Sequence, residues 1–231
     1  MSSQAIDIPR IPRIVLSKGA PVRRDPWIVE RCRGRKVLHV GCTDYPFTAP
    51  KFARGSLLHQ EIAPVAAKLV GIDLDAPSIA FLTEKGIPDL HVADAANVKG
   101  LLEQIGFEPD MVVAGEVIEH LNEPQAFLKG LRSAMSDNAS LIVSIPNAFH
   151  YLGIINILLG REKVHADHVA YYSVGTITET LRRAGFRVVD IQPYNNGQAR
   201  LWDRICHLPF RIVTRLVPHL SIGYVVEARP A

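Results

Sequence analysis

Lys36-Val37-Leu38-His39-Val40-Gly41-Cys42 decides the fold, and Leu69-Val70-Gly71-Ile72-Asp73-Leu74-Asp75 answers it downstream. Each stretch is a short apolar run rich in Val, Leu and Ile, too short for a helix. Such runs read as strands buried on both faces, as in a parallel sheet. The first ends at Gly41, where the chain must turn sharply. The second ends in the carboxylates of Asp73 and Asp75. In an open α/β sheet, ligands sit beyond the carboxyl ends of the strands. Gly41 and Asp73 are therefore expected to face one crevice. The glycine lets a ligand approach the backbone, and the carboxylate accepts hydrogen bonds from hydroxyls.

The length of 231 residues suits one α/β domain with a real core. Hydrophobic residues at 48% and charged residues at 21% exclude general disorder. A net charge of +3 is too small to argue for nucleic acid as a partner. Cys32, Cys42 and Cys206 show no Cys-x-x-Cys spacing, so neither a disulfide framework nor a zinc site is expected. A reduced, cytoplasmic compartment is the natural expectation. No basic segment precedes an apolar core at the N-terminus, so no signal peptide is expected. The longest apolar run, Tyr151 to Leu159, falls far short of the ~20 residues that span a bilayer.

Two further apolar runs come after the opening pair. His91-Val92-Ala93-Asp94-Ala95 is the first, then Asp110-Met111-Val112-Val113-Ala114-Gly115-Glu116-Val117-Ile118-Glu119-His120-Leu121. In this order and spacing, from Arg35 to Ile191, the sequence resembles the class I S-adenosylmethionine (SAM) dependent methyltransferases, best the branch with Glu-His-Leu after its fourth strand. The resemblance implies a Rossmann-like, seven-stranded, mostly parallel sheet with helices on both faces and an antiparallel last strand. It implies SAM as cofactor. On that pattern the turn at Gly41 and Cys42 lies along the methionine part. Asp73, followed by Leu74, accepts the ribose hydroxyls. Asp94 with Ala95 meets the adenine edge, and Ala114 and Gly115 offer backbone beside the methionine. The plainer readings are a solvated strand-end carboxylate for Asp73 and a helix N-cap for Asp94.

The sequence departs from the family in three places. The usual Gly-x-Gly is Gly41-Cys42-Thr43. His39 stands where an acidic residue is common. From Gly41 to Asp73 is 73 − 41 = 32 positions, against about 20 in the dinucleotide fingerprint. The loop Tyr45 to Gly55 is therefore enlarged and is placed to help form a substrate pocket. The missing glycine also weakens an NAD-dependent reading.

Residues 1–34 read as an N-terminal arm and short helix. Pro9, Pro12 and Pro21 stand among arginines there, and Asp25-Pro26 reads as an N-cap followed by proline at the first helical position. The arm lies over the domain surface or serves as a lid or phosphate contact. Residues 35–231 read as the methyltransferase domain, with an insertion at 195–220 before the last strand. Ser56 to Leu69 has helical spacing capped by Ser56, with a kink or split at Pro64. Asn122 is placed to cap the next helix, whose buried stripe is Ala126, Phe127, Leu131 and Met135. Phe149 to Leu159 comes after a strand and is expected over the crevice as a lid, or as an ordinary packing helix. Ser173 caps another helix ending at Gly185.

The candidate chemistry lies in histidines. His120 comes directly after Glu119, and His165-Ala166-Asp167-His168 precedes the helix before the sixth strand. If the methyl acceptor is a hydroxyl, a histidine can take its proton, with His168 the first choice and His165 the second. The plainer role for His120 is to hold the strand-to-helix turn. Two histidines without an identifiable third ligand are too few for a metal site. The leading reading is a SAM-dependent O-methyltransferase acting on a small molecule or a saccharide or lipid-linked (glycan) precursor. The other readings are a SAM-fold protein that transfers no methyl group, and nitrogen or carbon methylation. The stretch 199–217 alternates arginines with apolar groups, which suits peripheral membrane contact or a solvated arginine face over a packed apolar one.

Overall fold

The computed structural model describes residues 14, 16, 19–195 and 208–231. Seven strands form one sheet: β1 (Lys36–Val40), β2 (Lys68–Asp73), β3 (Leu90–Val92), β4 (Met111–Gly115), β5 (Ser140–Pro146), β6 (Phe186–Tyr194) and β7 (Gly223–Pro230). Their order is β3-β2-β1-β4-β5-β7-β6. The first five are parallel, and β7 runs antiparallel to both β5 and β6. This is the expected Rossmann-like sheet, with β6 and β7 paired as the resemblance implied.

The two strands that carry the opening motifs are neighbours in register. Val40 lies opposite Ile72 on one side and Ala114 on the other. Gly41, Asp73 and Gly115 therefore leave the sheet at one level. The chain leaves β1 for β2 and β3 on one side and then crosses to β4 on the other, and such a reversal opens a crevice at the ends of β1 and β4.

Alternation along the strands divides the core in two. Leu38, Val40, Val112 and Ala114 belong to a larger cluster on one face. Val37, Met111 and Val113 belong to a smaller one on the other. The larger face is covered by α5 (Val98–Gln104), α6 (Pro124–Ser133) and α8 (Val174–Arg183), which supply Leu102, Phe127, Leu128, Leu131, Ile177 and Leu181. The smaller face is covered by α1 (Arg24–Cys32) and α3 (Leu58–Ile62) through Ile28, Cys32, Leu58 and Ile62. Gly130 shows how tightly α6 sits. A Cβ there would lie 2.2 Å from the Ala96 carbonyl oxygen, so only glycine permits the approach.

Several local expectations change. The helix expected from Ser56 to Leu69 ends at Ile62, and β2 begins at Lys68. Pro64 has no N–H to continue the helix, and the edge of β1 recruits residues 67–72 instead. The Ala67 N–H donates to the Arg35 carbonyl at 2.8 Å, and Leu69 pairs opposite Val37. Ser56 does not cap this helix, because its hydroxyl donates to the Lys51 carbonyl. The enlarged loop contains a short helix, α2 (Thr48–Ala53). Helix α1 begins ahead of Asp25, with Arg23 at the N-cap position, and Asp25 pairs with Arg24 inside the first turn. Glu123, not Asn122, occupies the N-cap of α6, and Leu128 rather than Ala126 completes its buried stripe.

Ser173 does cap α8, in a reciprocal capping box with Thr176. Helices α4 (Ala76–Glu84), α7 (Tyr151–Leu158) and α9 (Leu208–Leu216) complete the described elements. Arg200, Trp202 and Arg204 of the expected amphipathic stretch lie outside the described residues, as do the prolines at positions 9 and 12. No helix among the described residues is long and apolar enough to cross a membrane.

Candidate active site

At the carboxyl ends of β1, β2 and β4 lies a cleft of about 690 Å³, a size typical of small-molecule sites. Its lining includes Gly41, Cys42, Asp73, Gly115, His120, His165 and His168. Residues named from the sequence on five separate segments thus meet in one cleft. Leu74, Asp94, Ala95 and Ala114 are not among the lining residues. Leu74 is 69% exposed, whereas Ala95 and Ala114 are buried in the core. Asp94 accepts from the Ala96 N–H at 2.9 Å and so caps the turn 95–97, the plainer of its two roles.

The turn after β1 is built for close approach. Gly41 has φ +70°, and a Cβ there would lie 2.7 Å from Val117 Cγ2. Its N–H and that of Cys42 both donate to the Ile72 carbonyl, tying the turn to β2. Thr43, in the place of the family's second glycine, fixes Asp73. Its N–H and hydroxyl donate to Asp73 Oδ2 at 3.1 and 2.7 Å. Oδ1 accepts the Asp75 N–H at 3.0 Å, which leaves acceptor capacity facing the cleft. Burial, reinforced by Asp73, pushes the Cys42 thiol far up, so it is a packing group. Tyr45 and Phe47 stand exposed on the rim.

His39, unusual in the sequence, is buried with a partner that sequence reasoning did not supply. Its Nδ1 lies 3.2 Å from Nδ1 of His59 on α3, so one ring donates and the other accepts. The rings stack at 5.4 Å between centroids. Burial first, then His59 and Arg24, hold His39 well below the usual imidazole range. Burial lowers His59 to about 4. Both rings are neutral at pH 7.

The far wall holds the remaining titratable groups. The Glu119 carbonyl accepts the N–H groups of Val169 and Ala170, at 2.9 and 3.2 Å. This pins segment 165–170 to the 3-10 turn Ile118–His120. His120 Nδ1 lies 3.1 Å from the Asp167 carbonyl, which can only accept, so Nδ1 carries the proton. The His120 and His168 rings meet edge to face at 4.7 Å, and those of His165 and His168 lie 5.0 Å apart. Burial, then His120 and His165, lower the His168 pKa, which keeps it neutral and able to accept a proton.

Sequence reasoning gave no role to Glu116 or Glu119. Glu116 takes φ +55° at the end of β4. Its Oε1 accepts from Tyr194 at 2.8 Å and from Ser144 at 3.1 Å, and Arg24 stands 3.6 Å away. Glu119 is 1% exposed, and neither carboxylate oxygen has a hydrogen-bond partner among the described residues. Burial, then the like charge of Glu116, raises its carboxyl to about 8. The available signal was the Glu-x-x-Glu-His spacing itself, which the 3-10 turn winds toward the cleft.

A family model described as a methyltransferase domain matches residues 29–191. A probable S-adenosylmethionine-dependent methyltransferase of Mycolicibacterium smegmatis is 27% identical over 173 residues, 71% of this chain. The chain spans 56% of that relative's length. A ubiquinone biosynthesis O-methyltransferase of Acinetobacter baumannii is 22% identical over 87% of this chain and 81% of its own. Among solved structures, magnesium protoporphyrin IX methyltransferase from Synechocystis, with bound SAH, superposes with TM-score 0.56 at 17% identity, covering 90% of this chain and 80% of its own. With the sheet order, the Gly41 turn and the strand-end carboxylate in place, the chain belongs to the class I S-adenosylmethionine-dependent methyltransferase family.

Proposed function

We propose that this chain is an O-methyltransferase that moves the methyl group of SAM to a hydroxyl of a small molecule with an apolar part, a lipid-linked or saccharide precursor being the class in view. The observation that carries the reading is the shared cleft, with Gly41 and Asp73 at one end and His165 and His168 at the other.

The residues fit the cofactor. Gly41 lines the cleft and carries no side chain, so its backbone is open to a ligand from the cleft side. The anchored Asp73 carboxylate keeps Oδ1 capacity for ribose hydroxyls. Gly115 lines the same cleft. Asp94 and Ala95 would reach the adenine only from outside the cleft lining. When bound, SAM supplies a methyl group on a sulfonium, which already has a good leaving group. The protein then positions the acceptor, excludes water and receives a proton. His168, neutral and beside His165, is suited to take that proton as the hydroxyl attacks. His120, with Nδ1–H on the Asp167 carbonyl, holds the segment that carries both.

The apolar surface supports the acceptor class. Ile157, Leu158 and Leu159 at the end of α7 are exposed. Tyr151 of α7 stacks on Phe210 of α9 at 4.4 Å, and α9 exposes Ile212, Val213 and Leu216 beside Arg211 and Arg215. This face suits peripheral contact with an anionic membrane, from which a lipid-linked acceptor is taken. The relative named for ubiquinone biosynthesis is an O-methyltransferase, which agrees with a hydroxyl acceptor.

Calorimetric titration with SAM and S-adenosylhomocysteine, with Asp73→Ala alongside, tests the cofactor assignment. Labelled-methyl transfer across an acceptor panel tests the rest. Micromolar binding lost in Asp73→Ala, with transfer to a hydroxyl lost in His168→Ala, is the expected result. Tight SAM binding with transfer to nitrogen or carbon, or with no transfer, defeats the O-methyltransferase reading.

A further inference from the structure

The His165-x-x-His168 pair carries too few ligands for a metal, but the fold assembles a different set. One ligand atom each from Glu119, His120 and His168 lies within 4.8 Å of the others. We propose that these three residues form a divalent-cation site in the wall of the cleft, with its open positions turned toward the methyl acceptor. The inference rests on reading the cleft as the acceptor site.

Three independent observations carry it. The first is Glu119. It is almost fully buried, lines the cleft, and has two carboxylate oxygens without hydrogen-bond partners among the described residues. Buried polar atoms are normally satisfied, because an unpaired one is costly and more so when charged. A cation supplies the missing partner. The neighbouring Glu116, by contrast, already has its Oε1 engaged by Tyr194 and Ser144.

The second is the orientation of His120. Its Nδ1–H is held by the Asp167 carbonyl, so Nε2 carries the lone pair. Metal-bound histidines show this arrangement, with the second nitrogen donating to a carbonyl or carboxylate. The third is the backbone clamp. The Glu119 carbonyl binds the N–H groups of Val169 and Ala170, so His168 is brought against Glu119 and His120 by main-chain bonds, not by a chance rotamer.

The geometry is close to what an ion needs. Donors bound tetrahedrally to one ion at about 2.0–2.2 Å stand roughly 3.3–3.6 Å apart. The three ligand atoms lie within 4.8 Å of one another, so the side chains must draw in by roughly 1 Å to grip an ion. Two imidazoles and one carboxylate with open positions suit a first-row divalent ion such as zinc. A hydroxyl of the acceptor would fill an open position and lose its proton more readily there. His168 then serves as ligand, and His165, whose ring lies 5.0 Å from it, is the group left to receive the proton.

The test uses the full chain, stripped with a chelator and titrated with Zn²⁺, with Co²⁺ absorption as a coordination readout. One equivalent of Zn²⁺ is expected, with affinity falling at least tenfold in Glu119→Gln and in His168→Ala and holding in His165→Ala. SAM titration of each variant reports folding independently. Absence of a stoichiometric site, or affinity unchanged in Glu119→Gln, overturns the inference. Metal binding with no methyl transfer to any hydroxyl would overturn the proposed function and leave the cation site standing. Chelator-resistant transfer from a chain without the site would do the reverse.

Discussion

Acid should destabilise this protein through the buried His39–His59 pair. Both rings are at most 3% exposed, and their Nδ1 atoms share one hydrogen bond at 3.2 Å. Burial lowers His59 to about 4, and it lowers His39 well below its ordinary value. The unfolded chain has ordinary histidines near 6.5. As the pH falls from 7 to 5, the unfolded state binds protons that the folded state refuses, so stability falls with pH. The contribution is fully present above about 6.5 and is lost progressively down to about 4. For His59 alone the loss between pH 7 and pH 5 is about 2 kcal/mol, and His39 adds to it in the same direction.

Urea unfolding at the two pH values measures it, and a loss of that size moves the midpoint by roughly 1 M or more. His150 and His168 also have lowered values, with the same sign, while the raised Glu119 acts in the opposite sense. The comparison is therefore with His39→Leu/His59→Leu, which removes both partners together and leaves no orphaned nitrogen. The difference in pH slope between the two proteins belongs to the pair. Equal slopes, or imidazole NMR shifts showing His59 protonated near pH 6, would refute the argument.

Gly41→Ala places a side chain at φ +70° and 2.7 Å from Val117. Its expected cost is about 1–3 kcal/mol in urea unfolding, together with weakened SAM binding by calorimetry. Ser173→Ala removes half of the α8 capping box and should lower stability by about 1 kcal/mol, with no change in SAM affinity. Arg211→Glu/Arg215→Glu, on the exposed face of α9, should cut sedimentation with anionic vesicles severalfold and leave neutral vesicles unaffected. Equal sedimentation with both vesicle types would refute membrane contact through this face.

The sheet was legible because its strands are short apolar runs punctuated by Gly41, Asp73, Asp94 and Gly115. A strand buried on both faces must be apolar throughout, and that pattern needs no knowledge of neighbours. The Ser173 cap was legible because it joins residues only three apart. The helix from Ser56 was misread because its periodicity continues beyond Pro64. Only the edge of β1 decides that those residues pair as a strand. In the site, Gly41 and Asp73 could be named early because both lie at strand ends. Thr43 bridging to Asp73, His59 beneath His39, and Glu119 beside His168 could not. The first of these contacts joins residues 30 positions apart and the second 20, and no local pattern spans such gaps. Sequence determined the strands, the turn and the family. Tertiary structure decided which polar groups share a buried volume, because desolvation and hydrogen bonding act through space and not along the chain.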